Sequence, residues 1–174
     1  LSPLGRFRYV CPMTTPTRLE HDSLRPRPVP ATALYGAQTS RSLENFPLSG
    51  APLPREIIHG MALLKLAAAK ANAALGLLPG TKAQAIIAAC RVILTGAHDA
   101  EFQVDLFQAG SGTSSHMNLN EVIANLANEA LGGQRGAKAP VHPNDDVNMG
   151  QSTNNSFPSG AKIAVLNQMP ALID

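Results

Sequence analysis

The chain has 174 residues, enough for one domain or slightly more, with 44% apolar and only 4% aromatic side chains. A net charge of +2 without any basic run excludes the clustered Lys and Arg of a nucleic-acid partner. No apolar run approaches membrane-spanning length, and Cys11 and Cys90 form neither a metal pattern nor a disulfide framework.

Residues 1–12 begin at Leu1 and carry Arg6 and Arg8 but no acid, whereas Met13-Thr14-Thr15-Pro16 reads as an ordinary protein start. Residues 1–12 are therefore expected to be a disordered or non-native leader. A transit-peptide remnant is the alternative. Residues 14–34 contain Pro16, Pro26, Pro28 and Pro30, so this stretch is expected to be extended or irregular. Residues 35–53 are turn-rich. From Pro54, the apolar positions Ile57, Met61, Leu64, Ala68, Ala71 and Leu75 follow a helical period, and Gly76 suits a C-terminal cap. A second helix follows Pro79-Gly80 on Ala83, Ile86, Ile87, Cys90, Ile93 and Leu94, closed by Gly96. Cys90 reads as a small buried hydrophobe.

Residues 97–116 read as a loop with room for short helical turns at its start or end, and His98, Asp99 and Glu101 read as a solvated charge cluster. A third helix carries Leu119, Val122, Ile123, Leu126 and Ala127 and ends at Gly132-Gly133. Residues 134–156 form a long loop, which is uncommon unless functional or disordered. A fourth helix is expected near Phe157, with Ser156 as N-cap, Pro158 in the first turn and Pro170 as a possible kink. It is cut off at Asp174 in mid-pattern, which suggests a truncated product.

Two polar segments concentrate chemistry, Gly110–Asn118 (GSGTSSHMN) and Val141–Asn155 (VHPNDDVNMGQSTNN), and each precedes a predicted helix. Gly110 and Gly112 let the backbone approach a ligand closely. Ser111, Thr113, Ser114 and Ser115 offer hydroxyls, and the unpaired N–H groups of a helix start favour an anion. Ser152, Thr153 and Asn154 repeat that logic. Read without a ligand, both segments are caps and turns. His142, Asn144, Asp145 and Asp146 form a separate polar cluster whose spacing matches no zinc or EF-hand pattern, so no metal is expected.

Taken with ALYGAQTSRSLENF (33–46), the helix start Ile57-Ile58-His59-Gly60-Met61-Ala62-Leu63 and QSTNNSFP (151–158), these segments resemble the fumarase/aspartase superfamily, most closely its class II fumarases. The resemblance runs from Arg18 to Asp174. It implies an all-α fold, with residues 13–150 as the N-terminal lyase domain and 151–174 as the start of a central helix bundle. It also implies a cytoplasmic homotetramer whose active sites are shared between subunits, with no cofactor, metal, nucleic acid or membrane partner. By the same resemblance Ser111, Thr113, Ser152, Thr153 and Asn154 contact a dicarboxylate substrate, and His142, Asn144 and Asp145 match a second dicarboxylate site. The family's base, a Ser on a Gly-Ser-Ser-x-Met-Pro-x-Lys-x-Asn loop, and its Thr-His pair would lie beyond Asp174, so no catalytic residue is assigned here.

Three readings follow. The leading one is part of a fumarate hydratase of the tricarboxylic acid cycle, adding water to fumarate in the anti sense through a carbanion-type intermediate. QSTN and Gly160 followed by Ile163-Ala164-Val165 favour aspartate ammonia-lyase instead. The abrupt end favours a non-catalytic fragment, inactive and prone to associate. Asn155, where the family usually has Asp, His116, where Asn is common, and Arg25-Pro26 depart from the pattern.

Overall fold

A computed structural model describes residues 16–173; the leader reading of residues 1–12, Cys11 and the chain end at Asp174 lie outside the described residues. The proline-rich entry forms a small antiparallel ribbon, β1 (Thr17–Glu20) with β2 (Arg27–Pro30), in which Arg18 faces Val29 and Glu20 faces Arg27. Pro28 and Pro30 cannot donate to a ladder, so the ribbon depends on side chains. The Arg18 guanidinium supplies them. It donates to the carbonyls of Pro30 (2.9 Å), Ala33 (2.7 Å) and Tyr35 (2.7 Å) and pairs with Glu20.

The turn-rich reading of 35–53 misses a helix, α1 (Ala37–Asn45). Its sequence, AQTSRSLEN, has no apolar stripe to announce it. Its start is held instead by two buried carboxylates from other elements. Glu20 accepts the Ala37 amide (3.0 Å), and Glu121 accepts the amides of Gly36, Gln38 and Thr39 and the Thr39 hydroxyl. A Cβ at Gly36 would lie 2.6 Å from Glu20 Oε2 and 2.7 Å from Glu121 Oε1, so this close approach needs glycine.

The two expected helices follow as a hairpin, α2 (Arg55–Ala74) and α3 (Gly80–Leu94), with Gly76 just past the α2 cap at φ +72°. Then α4 (Thr113–Ala130) packs across them, and Ile58, Met61, Ile86, Cys90, Ile93, Leu119, Val122 and Ile123 meet in one core. Cys90 is fully buried, and among the described residues it has no disulfide partner. The last helix, α5 (Thr153–Ile173), runs through both Pro158 and Pro170 and lies along α2. Their backbones touch where glycine faces glycine: a Cβ on Gly60 would sit 2.1 Å from the Gly160 carbonyl oxygen, and one on Gly160 would sit 2.3 Å from Met61. Apart from the ribbon the fold is helical, and no described helix is long and apolar enough to cross a membrane.

Candidate functional site

The entries to α4 and α5 are adjacent. Before α4, Gln108 folds the chain back by accepting the Ser115 amide (2.8 Å) and donating to the Ser115 hydroxyl (2.9 Å). Gly110 and Gly112 then take left-handed conformations, φ +56° and +84°. A Cβ at Gly112 would lie 2.2 Å from the Phe157 ring, so the close approach expected at this glycine is to the first turns of α5. Helix α4 begins at Thr113, within the helical turn allowed at the end of the predicted loop, and a 3-10 turn over Asp99–Glu101 lies near the loop's start. Of the four hydroxyls read as donors, Ser114 and Ser115 are buried, while Ser111 is exposed and Thr113 half-buried.

Helix α5 begins earlier than predicted. Ser152, not Ser156, is the residue before its first turn, and its Oγ accepts the Asn154 amide (3.3 Å). Ser156 is buried within the helix. Thr153 Oγ1 meets His116 Nδ1 at 2.7 Å, which joins the two helix starts. The five residues assigned to substrate contact thus fall at two neighbouring helix N-termini. Ser152 and Asn154 are exposed and Thr153 is half-buried. Neither first turn carries an acidic residue. An Asp or Glu in a first turn stabilises a helix start by about 0.3–1 kcal/mol; here Gln108 Oε1 takes the Ser115 amide, the Ala109 carbonyl the Thr113 amide and Ser152 Oγ the Asn154 amide, so an external anion would meet the helix dipoles and the side-chain hydroxyls.

Behind these starts lies a buried polar layer that the sequence reading did not identify as a site. Lys65, His116 and Asn120 are fully buried. Burial, assisted by the charge of Lys65, pushes the His116 imidazole down to about 3. Burial also pushes the Lys65 ammonium down to about 7, opposed by Cys90. Lys65 Nζ donates to Asn148 Oδ1 (2.8 Å), and Asn148 donates to the Gln151 carbonyl (3.2 Å), so α2 is tied to the segment that enters α5. The available signal was positional: Lys65 follows Met61 by one helical turn on the buried face. His116 Nε2 and both polar atoms of the Asn120 side chain have no hydrogen-bond partner among the described residues.

The predicted loop 134–156 contains a wide π-helical turn, Pro143–Val147. His142 Nδ1 accepts the amides of Asn144 (3.2 Å) and Asp145 (3.1 Å). The same nitrogen lies 3.2 Å from Asp145 Oδ2. It cannot also donate to that carboxylate while it accepts, and the two amides decide for acceptance, leaving Nε2 as the donor. Asp146 stands apart from these residues as an anchor, accepting the His142 amide (2.7 Å) and the Lys82 ammonium (2.9 Å). Among the described residues no three His, Cys, Asp or Glu side chains group as metal ligands. The solvated-cluster reading of 98–101 is corrected: Asp99 lies 3.0 Å from His59 Nε2, and Glu101 accepts the Leu34 amide at 2.8 Å.

A family model described as lyase matches residues 26–174. This chain belongs to that lyase family. A class II fumarate hydratase of Ralstonia nicotianae is 51% identical over 150 residues, 86% of this chain and 32% of the relative. The solved fumarate lyase:delta crystallin of Brucella melitensis superposes with a TM-score of 0.86 at 49% identity, covering 88% of this chain and 36% of that one. The recombinant class II fumarase of Schistosoma mansoni gives 0.85 at 40% identity, covering 88% and 33%. The chain spans about a third of the length of these lyases.

The three departures sit differently in the lyase fold. Asn155 is exposed and accepts a hydrogen bond from the Ser159 hydroxyl (3.1 Å). The Arg25-Pro26 turn is held by Asp22, which accepts the Leu24 and Arg25 amides and pairs with Arg41 (2.7 Å). His116 joins the two helix starts of the candidate site, and Asn155 lies in the first turn of α5 beside Asn154.

Proposed function

We propose that this chain forms one wall of the active site of a fumarate hydratase that interconverts fumarate and L-malate in the tricarboxylic acid cycle. The observation that carries this reading is the meeting of two helix starts, free of acidic residues and lined by Ser111, Thr113, Ser152, Thr153 and Asn154. Two positive helix ends match the two carboxylates of a four-carbon substrate. Removing the proton beside a carboxylate places further negative charge on its oxygens. Hydroxyl and backbone N–H donors already held in place stabilise that charge without reorganising. His116 is a poor candidate for the base, because a group pushed down to about 3 has little proton affinity near neutral pH. The chain's part is binding and orientation.

The same reading takes residues 13–150 as the N-terminal domain and 151–174 as the start of a central bundle in a homotetramer. Its support is the outer face of α5, where Val165, Leu166, Met169 and Ile173 are exposed beside an open apolar groove of about 560 Å³. His142 Nε2 and the exposed Asn144 are the donors of the second dicarboxylate site in this reading, with Asp145 completing the turn. A cytoplasmic location remains part of the proposal and is read by cell fractionation.

The test is a chimera in which residues 26–174 replace the matching third of the Ralstonia nicotianae protein, with fumarate followed by ultraviolet absorbance. Turnover of L-malate is expected. Turnover of L-aspartate in its place would establish the ammonia-lyase reading, and loss of both in a folded tetramer would refute the binding role.

A further inference from the structure

The hydrogen bond between His116 and Thr153 has a direction, and the surroundings of the ring select it. His116 is fully buried, with Nδ1 2.7 Å from Thr153 Oγ1. Its Nε2 has no hydrogen-bond partner among the described residues. The ring is neutral near pH 7, because burial and the Lys65 charge disfavour a second proton. A neutral imidazole carries one proton, on one nitrogen or the other. With the proton on Nε2, a buried N–H would be orphaned. With the proton on Nδ1, the orphan is only a lone pair. Orphaned buried N–H donors are the rarer of the two kinds.

The choice decides what Thr153 can offer. If Nδ1 accepts, the Thr153 hydroxyl spends its hydrogen on the ring and shows only lone pairs to an anion. If Nδ1–H donates, the ring occupies an oxygen lone pair and the hydroxyl hydrogen is free to turn outward. Thr153 stands half-buried between the exposed Ser152 and Asn154 at the α5 start. An anion there is favoured by the helix end and by every donor aimed at it.

We propose that His116 is a positioning residue whose neutral Nδ1–H form holds the Thr153 hydroxyl as a donor toward a bound carboxylate. The identity of the anion rests on the dicarboxylate reading above; the tautomer does not. An Asn side chain at this position keeps an N–H donor on a shorter arm, whereas Leu keeps bulk and removes the donor.

The first test reads the tautomer in the 174-residue chain labelled with 15N-histidine, using long-range 1H–15N correlations and H116N to assign the ring. The expected spectrum shows Nδ1 protonated and Nε2 bare, unchanged between about pH 5 and 8. A proton on Nε2, or a doubly protonated ring, overturns the proposal whether or not a dicarboxylate binds. The second test titrates succinate into wild type, H116N and H116L and follows the Thr153 amide. H116N is expected within about threefold of wild type and H116L weaker by about tenfold or more, the size of a lost hydrogen bond to a charged group. Equal affinity in folded H116L overturns the role. So does the absence of any succinate response in wild type, and the malate assay decides separately whether the dicarboxylate reading falls with it.

Discussion

Helix α4 carries two buried polar regions with opposite characters. At Glu121 every need is met: three backbone amides and one hydroxyl point at its two oxygens, and they oppose the upward push that burial gives its carboxyl. At the start of the same helix, His116, Asn118 and Asn120 are equally buried but keep polar atoms without partners among the described residues. A saturated buried group fixes structure, because losing it leaves its partners orphaned. A partly saturated one retains capacity for something else, and here it lies beside two helix starts whose first turns carry no acidic residue.

The largest expected effect breaks the saturated side. E121A leaves the first amides of α1 without an acceptor and should cost at least about 3 kcal/mol in urea unfolding, while leaving the His116 ring signals in place. An effect confined to the α4 start would reverse the assignment of the two regions.

Next comes G160A, which attacks the placement of α5. Its new methyl meets Met61 at 2.3 Å. The overpacking of about 1–3 kcal/mol outweighs the gain of about 1 kcal/mol from replacing helical glycine. Lower stability together with shifted amides at Thr153 is expected. A stabilised G160A would show that the α2 and α5 backbones do not touch.

The helix boundaries also mark what the sequence could convey. Helices α2 and α3 were legible because their apolar side chains repeat on one face and Gly76 and Gly96 close them. Helix α1 was not, since its start depends on Glu121, more than 80 residues away in sequence and a contact that no local pattern carries. The start of α4 was placed only loosely and that of α5 too late because Ser, Thr and Asn read locally as loop and cap, whereas Ser115 is fixed by Gln108 and Thr153 by His116. The polar segments were legible as donors from composition alone. Their meeting was not, and neither was the burial of Lys65, a residue type that sequence places at the surface.

Lys65 gives the third prediction, on the unsaturated side. Its ammonium falls from the ordinary 10.5 to about 7 on burial. Between those values the unfolded chain holds a proton that the folded chain lacks, so stability rises with pH. Cys90 acts oppositely, since burial pushes its thiol from 9.0 to about 12 and the folded chain keeps a proton that the unfolded chain loses above pH 9. The net gain is confined to about pH 7 to 9 and amounts to about 1–2 kcal/mol. Urea midpoints across that range should rise in wild type and stay flat in K65M; the same slope in both would remove Lys65 from the account.

The smallest effect is expected at Asn155, which is exposed in the first turn of α5. N155D places a negative charge near a helix N-terminus and should stabilise by about 0.5 kcal/mol at low salt. A destabilised N155D would mean that this helix end is already neutralised.

The central claim is that the α4 and α5 starts form a single anion site. The most direct measurement is a succinate titration of the chain followed at the amides of Ser111, Thr113, Ser152, Thr153 and Asn154. The account predicts that both groups shift together with one dissociation constant. Two separate constants, or shifts at only one helix start, would contradict it.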